Sequence, residues 1–244
     1  MAKKYRKETC FIPIADSSSD VFDEIMDWIG YEKTKGDMTR SMGQIYKMLQ
    51  TNAIKNEEIR EYSIPTIKNL DIFDFDAGLS TEEEYLEVQR YILSQMVYDY
   101  VIMDISYDCY NKKAEAALNS ADLVIMVINN NDFVQRKAIE ILQSHPVIKE
   151  KSQMIVINQY ESKINTQKGL FTSKKSKYKE FKNASFLHYS YLIPKYSNES
   201  NFIYMMNNVS DGTDVKLLEI TNDLDSVSIQ ILKHSGDEIA MGRR

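Results

Sequence analysis

The sequence predicts an α/β protein: a three-layer α/β/α sandwich built on a mostly parallel, doubly wound sheet. Short runs of consecutive apolar residues alternate along the chain with longer segments of helical periodicity. Strands that are apolar on consecutive residues are typical of a parallel sheet whose two faces are both covered by helices. The chain has 244 residues, and a sheet protein of this length usually forms one unit. We therefore expect a single domain over residues 1–244.

Three strands are predicted by the clearest apolar runs, each bounded by polar residues. These runs are Tyr100–Asp104, Leu123–Ile128 and Met154–Ile157. Shorter runs predict three further strands. These are Cys10–Ile14, Leu70–Phe75 and Tyr191–Ile193.

Helices are predicted between these strands. The clearest, Thr81–Val97, begins with a capping-type sequence that has acidic residues in the first turn. A last helix near 214–232 repeats apolar residues at helical spacing and carries several acids on its polar side, so we expect it to dock on the sheet and not on a membrane. The remaining predicted helices are Asp20–Ile29, Thr39–Leu49, Lys112–Leu118 and Phe133–Leu142.

Composition excludes several classes of protein. No apolar run approaches the roughly 20 residues that span a bilayer, and no signal sequence is evident, so we expect a cytoplasmic protein without a transmembrane segment. The net charge of −6 argues against a chain dedicated to nucleic acid. Cys10 and Cys109 lie far apart, which predicts reduced thiols and neither a disulfide framework nor a thiolate metal site.

Polar residues follow the predicted strands. Right-handed crossovers bring the carboxyl ends of parallel strands to one edge of the sheet, where ligands bind. That edge would hold Asp104 and Asn158, together with Asp16, Asp76 and the run 129–131. In nucleotide hydrolases an aspartate at such a strand end holds Mg²⁺, although many strands end in an aspartate that only caps a turn.

Three segments together resemble the ParA/MinD family of P-loop ATPases, in the SIMIBI class. They are Tyr98–Asp104, Ala116–Val127 and Met154–Tyr160. The resemblance implies a P-loop NTPase-like fold in which Asp104 is linked to Mg²⁺, Asn158 recognises adenine, and Pro194 flanks the base. Within the family, Asn158-Gln159-Tyr160-Glu161 looks closest to the CpaE/TadZ pilus-assembly branch.

The family's phosphate-binding loop, the Walker A motif, is not recognisable. No glycine cluster runs into a Lys-Ser or Lys-Thr pair, and a single glycine precedes Lys33-Thr34, the only Lys-Thr pair. Without stacked glycines the backbone cannot wrap phosphates. We therefore expect no ordinary ATP hydrolysis and no required cofactor, while binding of ATP and Mg²⁺ stays open.

Residues 10–20 align with the family in two ways. Cys10–Asp16 matches the family's second strand, in which case the central first strand is missing. Alternatively, Cys10–Ile14 is the first strand, and Asp16, Ser18 and Ser19 belong to a decayed phosphate loop at a helix N-terminus. The acids of this segment would repel phosphate, and serine or aspartate is also an ordinary helix cap.

A basic loop near 163–182 is the one candidate nucleic-acid surface. It contains seven lysines against one acid, with aromatic residues between them. The segment could bind the phosphate backbone of DNA through its lysines, or it could be a solvated loop that binds nothing. The lysines proposed to contact DNA are Lys174, Lys175, Lys177 and Lys179.

Three functions remain open from the sequence. The first is a degenerate ParA/MinD-like positioning or assembly scaffold, of the kind used by pilus or secretion systems, that works with a protein partner. The second is an active partitioning or positioning ATPase with an unconventional phosphate loop. The third is a DNA-binding accessory protein with weak nonspecific affinity. A homodimer, and recruitment to membrane or nucleoid by a partner, fit the first two.

Overall fold

The structure is a computed structural model that divides into two compact units, Met1–Ser120 and Ala121–Arg244. Each unit is described by itself. The described residues are 7–14, 40–54, 56–67, 69–73, 78–105, 111–129, 132–160, 185–188 and 215–236.

The first unit is built on a four-stranded sheet with the order β2-β3-β1-β4. Strand β1 runs parallel to both β3 and β4, and β2 is antiparallel to β3. In chain order the elements are β1 (Thr9–Pro13), α1 (Met42–Gln50), a 3₁₀ helix (Asn56–Tyr62), β2 (Ile64–Ile67), β3 (Leu70–Ile72), α2 (Glu82–Ser94), β4 (Tyr100–Asp104) and α3 (Lys112–Ser120). The mostly parallel sheet expected from the apolar runs is therefore present.

The core of the first unit lies between its sheet and helices α1 and α2. Cys10 and Ile12 of β1 are fully buried, as are Ile45 of α1 and Tyr85 and Val88 of α2. The apolar stripe of α2 repeats at helical spacing because one face of the helix meets this core. Burial also raises the pKa of the Cys10 thiol well above its ordinary value. Cys10 is therefore a protonated core residue, as the cysteine spacing predicts.

The second unit is built on a three-stranded parallel sheet with the order β5-β6-β7. The ladder between β5 and β6 runs without interruption from Leu123 opposite Ser152 to Asn129 opposite Asn158. Helix α4 contacts β5, and helix α5 contacts β7. The elements are β5 (Leu123–Asn129), α4 (Asp132–Ser144), a 3₁₀ helix (Ile148–Glu150), β6 (Ser152–Tyr160), β7 (Ser185–His188) and α5 (Val215–His234).

The structure corrects several boundaries predicted from the sequence. Strand β6 continues through Asn158 to Tyr160 because it pairs along its length with β5 and then with β7. Strand β3 ends at Ile72, although Phe73 still donates its N–H to the Phe11 carbonyl. Strands β2 and β7 were not predicted. The predicted helix Asp20–Ile29 and strand Tyr191–Ile193 lie outside the described residues.

Within the described residues, no helix is both long enough and apolar enough to cross a bilayer. The longest, α5, has 20 residues. Its sequence includes Glu219, Asp223 and Asp225.

Candidate functional site

Asp104 is held at the carboxyl edge of the first sheet. It is the last residue of β4 and lies opposite Pro13 of the parallel strand β1. Its backbone carbonyl accepts a hydrogen bond from the Ile14 N–H at 2.8 Å, so the ladder continues to the end of the strand. The residue is half-buried. This is the position that the sequence predicts for Asp104.

The region around Asp104 does not form a complete Mg²⁺ site from described residues. Among them, no group of three or more histidine, cysteine, aspartate or glutamate side chains is placed to hold a metal ion. Mg²⁺ in nucleotide sites takes one or two carboxylates, several waters and the phosphates themselves. Asp104 supplies a single carboxylate. The described residues could therefore provide one ligand of a Mg²⁺ site, and the phosphates of a nucleotide and water would provide the others.

Two glycines in the first unit serve close packing of the backbone. Gly78 precedes α2 and has a φ of +79°, in the left-handed region that favours glycine. A Cβ placed on Gly78 would lie 3.4 Å from the Cα of Gly43 in the first turn of α1. The glycine pair therefore lets the turn approach the helix.

The second unit places Asn158 inside a strand. Asn158 is half-buried in β6 and lies opposite Asn129, the last residue of β5, in the parallel ladder. The sequence predicts that Asn158 follows its strand, but β6 extends two residues beyond it. Asn158 is still close to the carboxyl end, the edge at which α/β sheets bind ligands.

A polar network at the opposite, amino-terminal edge of the first sheet was not predicted from the sequence. Arg60 pairs with Glu8 just before β1, and its Nε lies 3.3 Å from a carboxylate oxygen of Asp71 in β3. Tyr98, just before β4, donates a hydroxyl hydrogen bond to Asp71 at 3.0 Å, and the Arg60 guanidinium lies 5.2 Å from the centre of the Tyr98 ring. The aspartate that interrupts the apolar run Leu70–Ile72 is the signal that could have revealed this network.

This network ties three strands together at their starts. Asn69 donates to Glu8 at 2.9 Å, and the Glu8 N–H donates to Asp99 at 2.8 Å. Burial raises the pKa of Asp71, and the Tyr98 hydrogen bond and the Arg60 charge oppose that rise. Because ligands of open α/β sheets bind at the carboxyl ends of strands, we assign this network to stability.

Comparison with solved structures identifies the fold. A chain of the MinC:MinD cell division protein complex from Aquifex aeolicus superposes with a TM-score of 0.60 at 14% identity, covering 97% of this chain and 87% of that chain. The chain has the fold of the MinD and ParA ATPases. A putative plasmid partition protein from Borrelia burgdorferi bound to AMPPNP gives a TM-score of 0.58 at 15% identity, covering 94% of this chain and 88% of that one.

A third solved structure with the MinD/ParA fold, a ParA family ATPase from Chlorobium tepidum, gives a TM-score of 0.54 at 12% identity. It covers 91% of this chain and 87% of that chain. No protein-family model and no curated protein sequence matches the chain. The three superpositions confirm the P-loop NTPase-like α/β fold that the resemblance predicts.

The structure describes only some of the candidate nucleotide-binding and DNA-binding residues that were named from the sequence. Asp104 and Asn158 are described, one in each unit, and each lies at or near the carboxyl end of its strand. The remaining predicted positions lie outside the described residues. They are Asp16, Ser18, Ser19 and Pro194, and the four lysines Lys174, Lys175, Lys177 and Lys179.

Proposed function

We propose that this chain is a MinD/ParA-like positioning or assembly scaffold that acts through protein contacts without ordinary ATP hydrolysis. The observation that carries the proposal is the MinD/ParA fold in a sequence that has no glycine-rich phosphate loop. Its eight glycines are scattered, and nowhere do two of them lie adjacent or one residue apart. A backbone with a Cβ at nearly every position cannot fold tightly around a triphosphate.

The electrostatics of the described edge support the same proposal. Asp104 brings a negative charge to the carboxyl edge of β4, and a carboxylate favours a phosphate ligand only when a cation stands between them. Phosphate binding at this edge would need backbone N–H and lysine donors, and the sequence has no glycine-rich loop that groups such donors.

The alternative is an active partitioning or positioning ATPase with an unconventional phosphate loop. One structure of this fold, the Borrelia burgdorferi plasmid partition protein, is bound to AMPPNP. In this chain Asp104 lies at the strand end at which a nucleotide-binding protein would hold Mg²⁺. The alternative therefore predicts measurable nucleotide affinity that depends on Asp104.

Thermal unfolding with and without nucleotide separates these two functions. The scaffold proposal expects the Tm of the full chain to be the same with Mg²⁺-ATP, Mg²⁺-AMPPNP or buffer, because only a ligand that binds the native state raises Tm. A saturable rise of several degrees would overturn it. Asp104→Asn then decides the mechanism: the rise disappears if Asp104 belongs to the site. Asp122→Asn, which removes an exposed carboxylate before β5, is the matched control.

A protein partner is part of the proposal. One of the solved structures of this fold is a complex of MinD with MinC, and the sequence Asn158-Gln159-Tyr160-Glu161 resembles the pilus-assembly branch. We propose that a partner in a pilus or secretion assembly positions the cytoplasmic chain at a membrane or nucleoid, and that the chain forms a homodimer. Light scattering tests the homodimer, since the monomer has a mass of 28.4 kDa.

A DNA-binding accessory function is supported by one sequence feature, the basic loop 163–182. If the loop binds phosphate backbones, retention on nonspecific double-stranded DNA falls with salt. Lys174→Ala with Lys175→Ala would then lower the slope of log affinity against log salt by about 0.9 for each phosphate that is no longer neutralised. Lys112→Ala with Lys113→Ala removes an equal charge in α3 and should leave the slope unchanged. Equal slopes in all three proteins would exclude the loop as a DNA-binding segment.

A further inference from the structure

The apolar pattern of strand β3 does not define the register of that strand. Strand β3 consists of Leu70, Asp71 and Ile72, and it forms three residue pairs with β1. Its antiparallel ladder with β2 shifts register between Pro65 and Ile67. A slip by one residue exchanges the two faces of a strand, so an apolar pattern fixes the register only when the two faces differ.

Both faces of β3 meet buried apolar residues. Asp71 lies opposite Cys10 of β1, and Phe73, on the same face as Asp71, packs in the core cluster that contains Cys10. Ile72 projects to the other face, where it lies opposite Ile64 of β2, and both isoleucines are buried. If β3 slipped by one residue, each face would still receive apolar side chains. The apolar residues alone therefore permit either register.

Asp71 distinguishes the two faces. Its side chain is 14% exposed, and one of its carboxylate oxygens lies 3.3 Å from Arg60 Nε and 3.0 Å from the Tyr98 hydroxyl. Tyr98 packs in the same core cluster as Cys10 and Phe73. A one-residue slip would carry the carboxylate to the opposite face, away from Arg60 and Tyr98, and an unpaired buried charge is strongly unfavourable.

The ionised side chain of Asp71 costs stability even in the position that it occupies. Burial raises the pKa of Asp71, and the hydrogen bond from Tyr98 and the charge of Arg60 offset that rise only in part. The other contacts of the network tie strand ends together, whereas Asp71 places a charge on a core-facing position of β3. Such a costly polar group can be retained because it selects one conformation.

We propose that Asp71, Arg60 and Tyr98 form a register lock, which selects one register of β3 on β1 by making a one-residue slip unfavourable. A polar residue among apolar ones fixes the register of coiled coils in the same way. The register of β3 also sets how far this strand reaches toward the carboxyl edge, at which Asp104 ends the parallel strand β4. The register lock acts within the first unit and requires neither a nucleotide nor a partner.

Asp71→Leu tests the register lock. Because leucine suits either face, we expect a second set of NMR amide signals for residues 70–73, with a ratio of slipped to native register at least about tenfold higher than in the wild type. The rings of Phe73 and Tyr98 lie edge to face with centroids 6.2 Å apart, so the nuclear Overhauser effect (NOE) between them reports the native register. That effect should weaken in Asp71→Leu. The stability of this variant in urea should not fall, since leucine replaces a buried charge.

Two matched variants separate register from stability. Asp71→Asn keeps a side-chain oxygen that can accept from Tyr98 and Arg60, so we expect one set of amide signals, as in the wild type. Asp99→Leu removes another carboxylate of the network, which accepts from the Glu8 N–H at 2.8 Å but lies outside β3. This variant should lose stability and still show one set of signals.

Three results would overturn the proposal. The first is a folded Asp71→Leu variant with one set of signals and an unchanged NOE between Phe73 and Tyr98, because the register then does not need the carboxylate. The second is loss of folding or a marked loss of stability in Asp71→Leu, which would assign the carboxylate to stability. The third is a second set of signals of the same size in Asp71→Asn or Asp99→Leu, because any change at this edge would then disturb β3.

Discussion

Asp71 is a half-buried carboxylate in the first sheet, and its environment sets a pH dependence. The residue lies in β3 opposite Cys10 of β1 and accepts from Tyr98, with Arg60 beside it. Burial raises its pKa more than these two partners lower it. An aspartate with a raised folded-state pKa takes up a proton more readily when folded than when unfolded. Its contribution to stability is therefore lost as pH rises.

Asp71→Asn removes this titration. The window begins near the unfolded-state pKa, about 3.9, and ends above the raised folded-state pKa. Across it, the free energy of unfolding of the variant minus that of the wild type should become more positive as pH rises. Urea unfolding at a series of pH values measures the difference, with Asp122→Asn as a control outside the network. A difference that is constant or falls with pH would show that Asp71 is not destabilised by burial.

Helix α2 shows how far local sequence signals determine an element. Thr81 is its N-cap, with φ −135° and ψ 159°, and the Thr81 hydroxyl oxygen accepts a hydrogen bond from the Glu84 N–H at 3.2 Å. The Glu84 carboxylate in turn accepts from the Ser80 N–H at 2.6 Å. The first bond satisfies an N–H of the first helical turn, which has no partner within the helix, and the second ties the residue before the cap to that turn. The start of α2 was therefore predictable to within one residue.

Thr81→Ala tests this cap. Loss of the hydroxyl acceptor should lower the free energy of unfolding by about 1 kcal/mol, because the Glu84 N–H then has no side-chain acceptor at the helix start. Thr81→Ser keeps the oxygen and should lose much less. Chemical denaturation of the three proteins gives the comparison. If the alanine and serine variants have the same stability, the cap does not stabilise the helix.

Other elements were predictable only in part, since their limits depend on tertiary pairing. Strands β4 and β5 have consecutive apolar residues and were located within one residue of their ends. Strand β2 includes Pro65, which weakens its local signal, and it is held as an antiparallel neighbour of β3. Strand β7 has only four residues and exists through its ladder with β6.

The candidate site, too, was predictable only in part from the sequence. Asp104 follows a strong apolar run, so its place at the end of a strand could be read from the sequence. Asn158 was expected just beyond its strand, but the pairing of Tyr160 with His188 extends β6 past it. Arg60, Tyr98 and Asp71 come from separate segments of the chain, and only the folded sheet brings them together.

At the scale of the whole molecule, the sequence predicts a single domain, and a single domain should unfold in one cooperative transition. Each compact unit has buried residues of its own, Ile12 in the first and Val156 in the second. An α/β sheet protein of 244 residues usually forms one domain. We therefore expect the full chain to unfold in one cooperative transition.

Two fluorescent reporters test this expectation. Trp28 is the only tryptophan of the sequence. Tyr46→Trp in a Trp28→Phe background reports on the first unit, because Tyr46 of α1 packs against the core of that unit. Phe133→Trp in a Trp28→Phe background reports on the second unit from a residue that is 66% exposed. In urea, both fluorescence transitions should coincide with the loss of far-UV circular dichroism, the mark of two-state unfolding. Separate midpoints for the two reporters, with a step in the circular dichroism between them, would show two domains that fold independently.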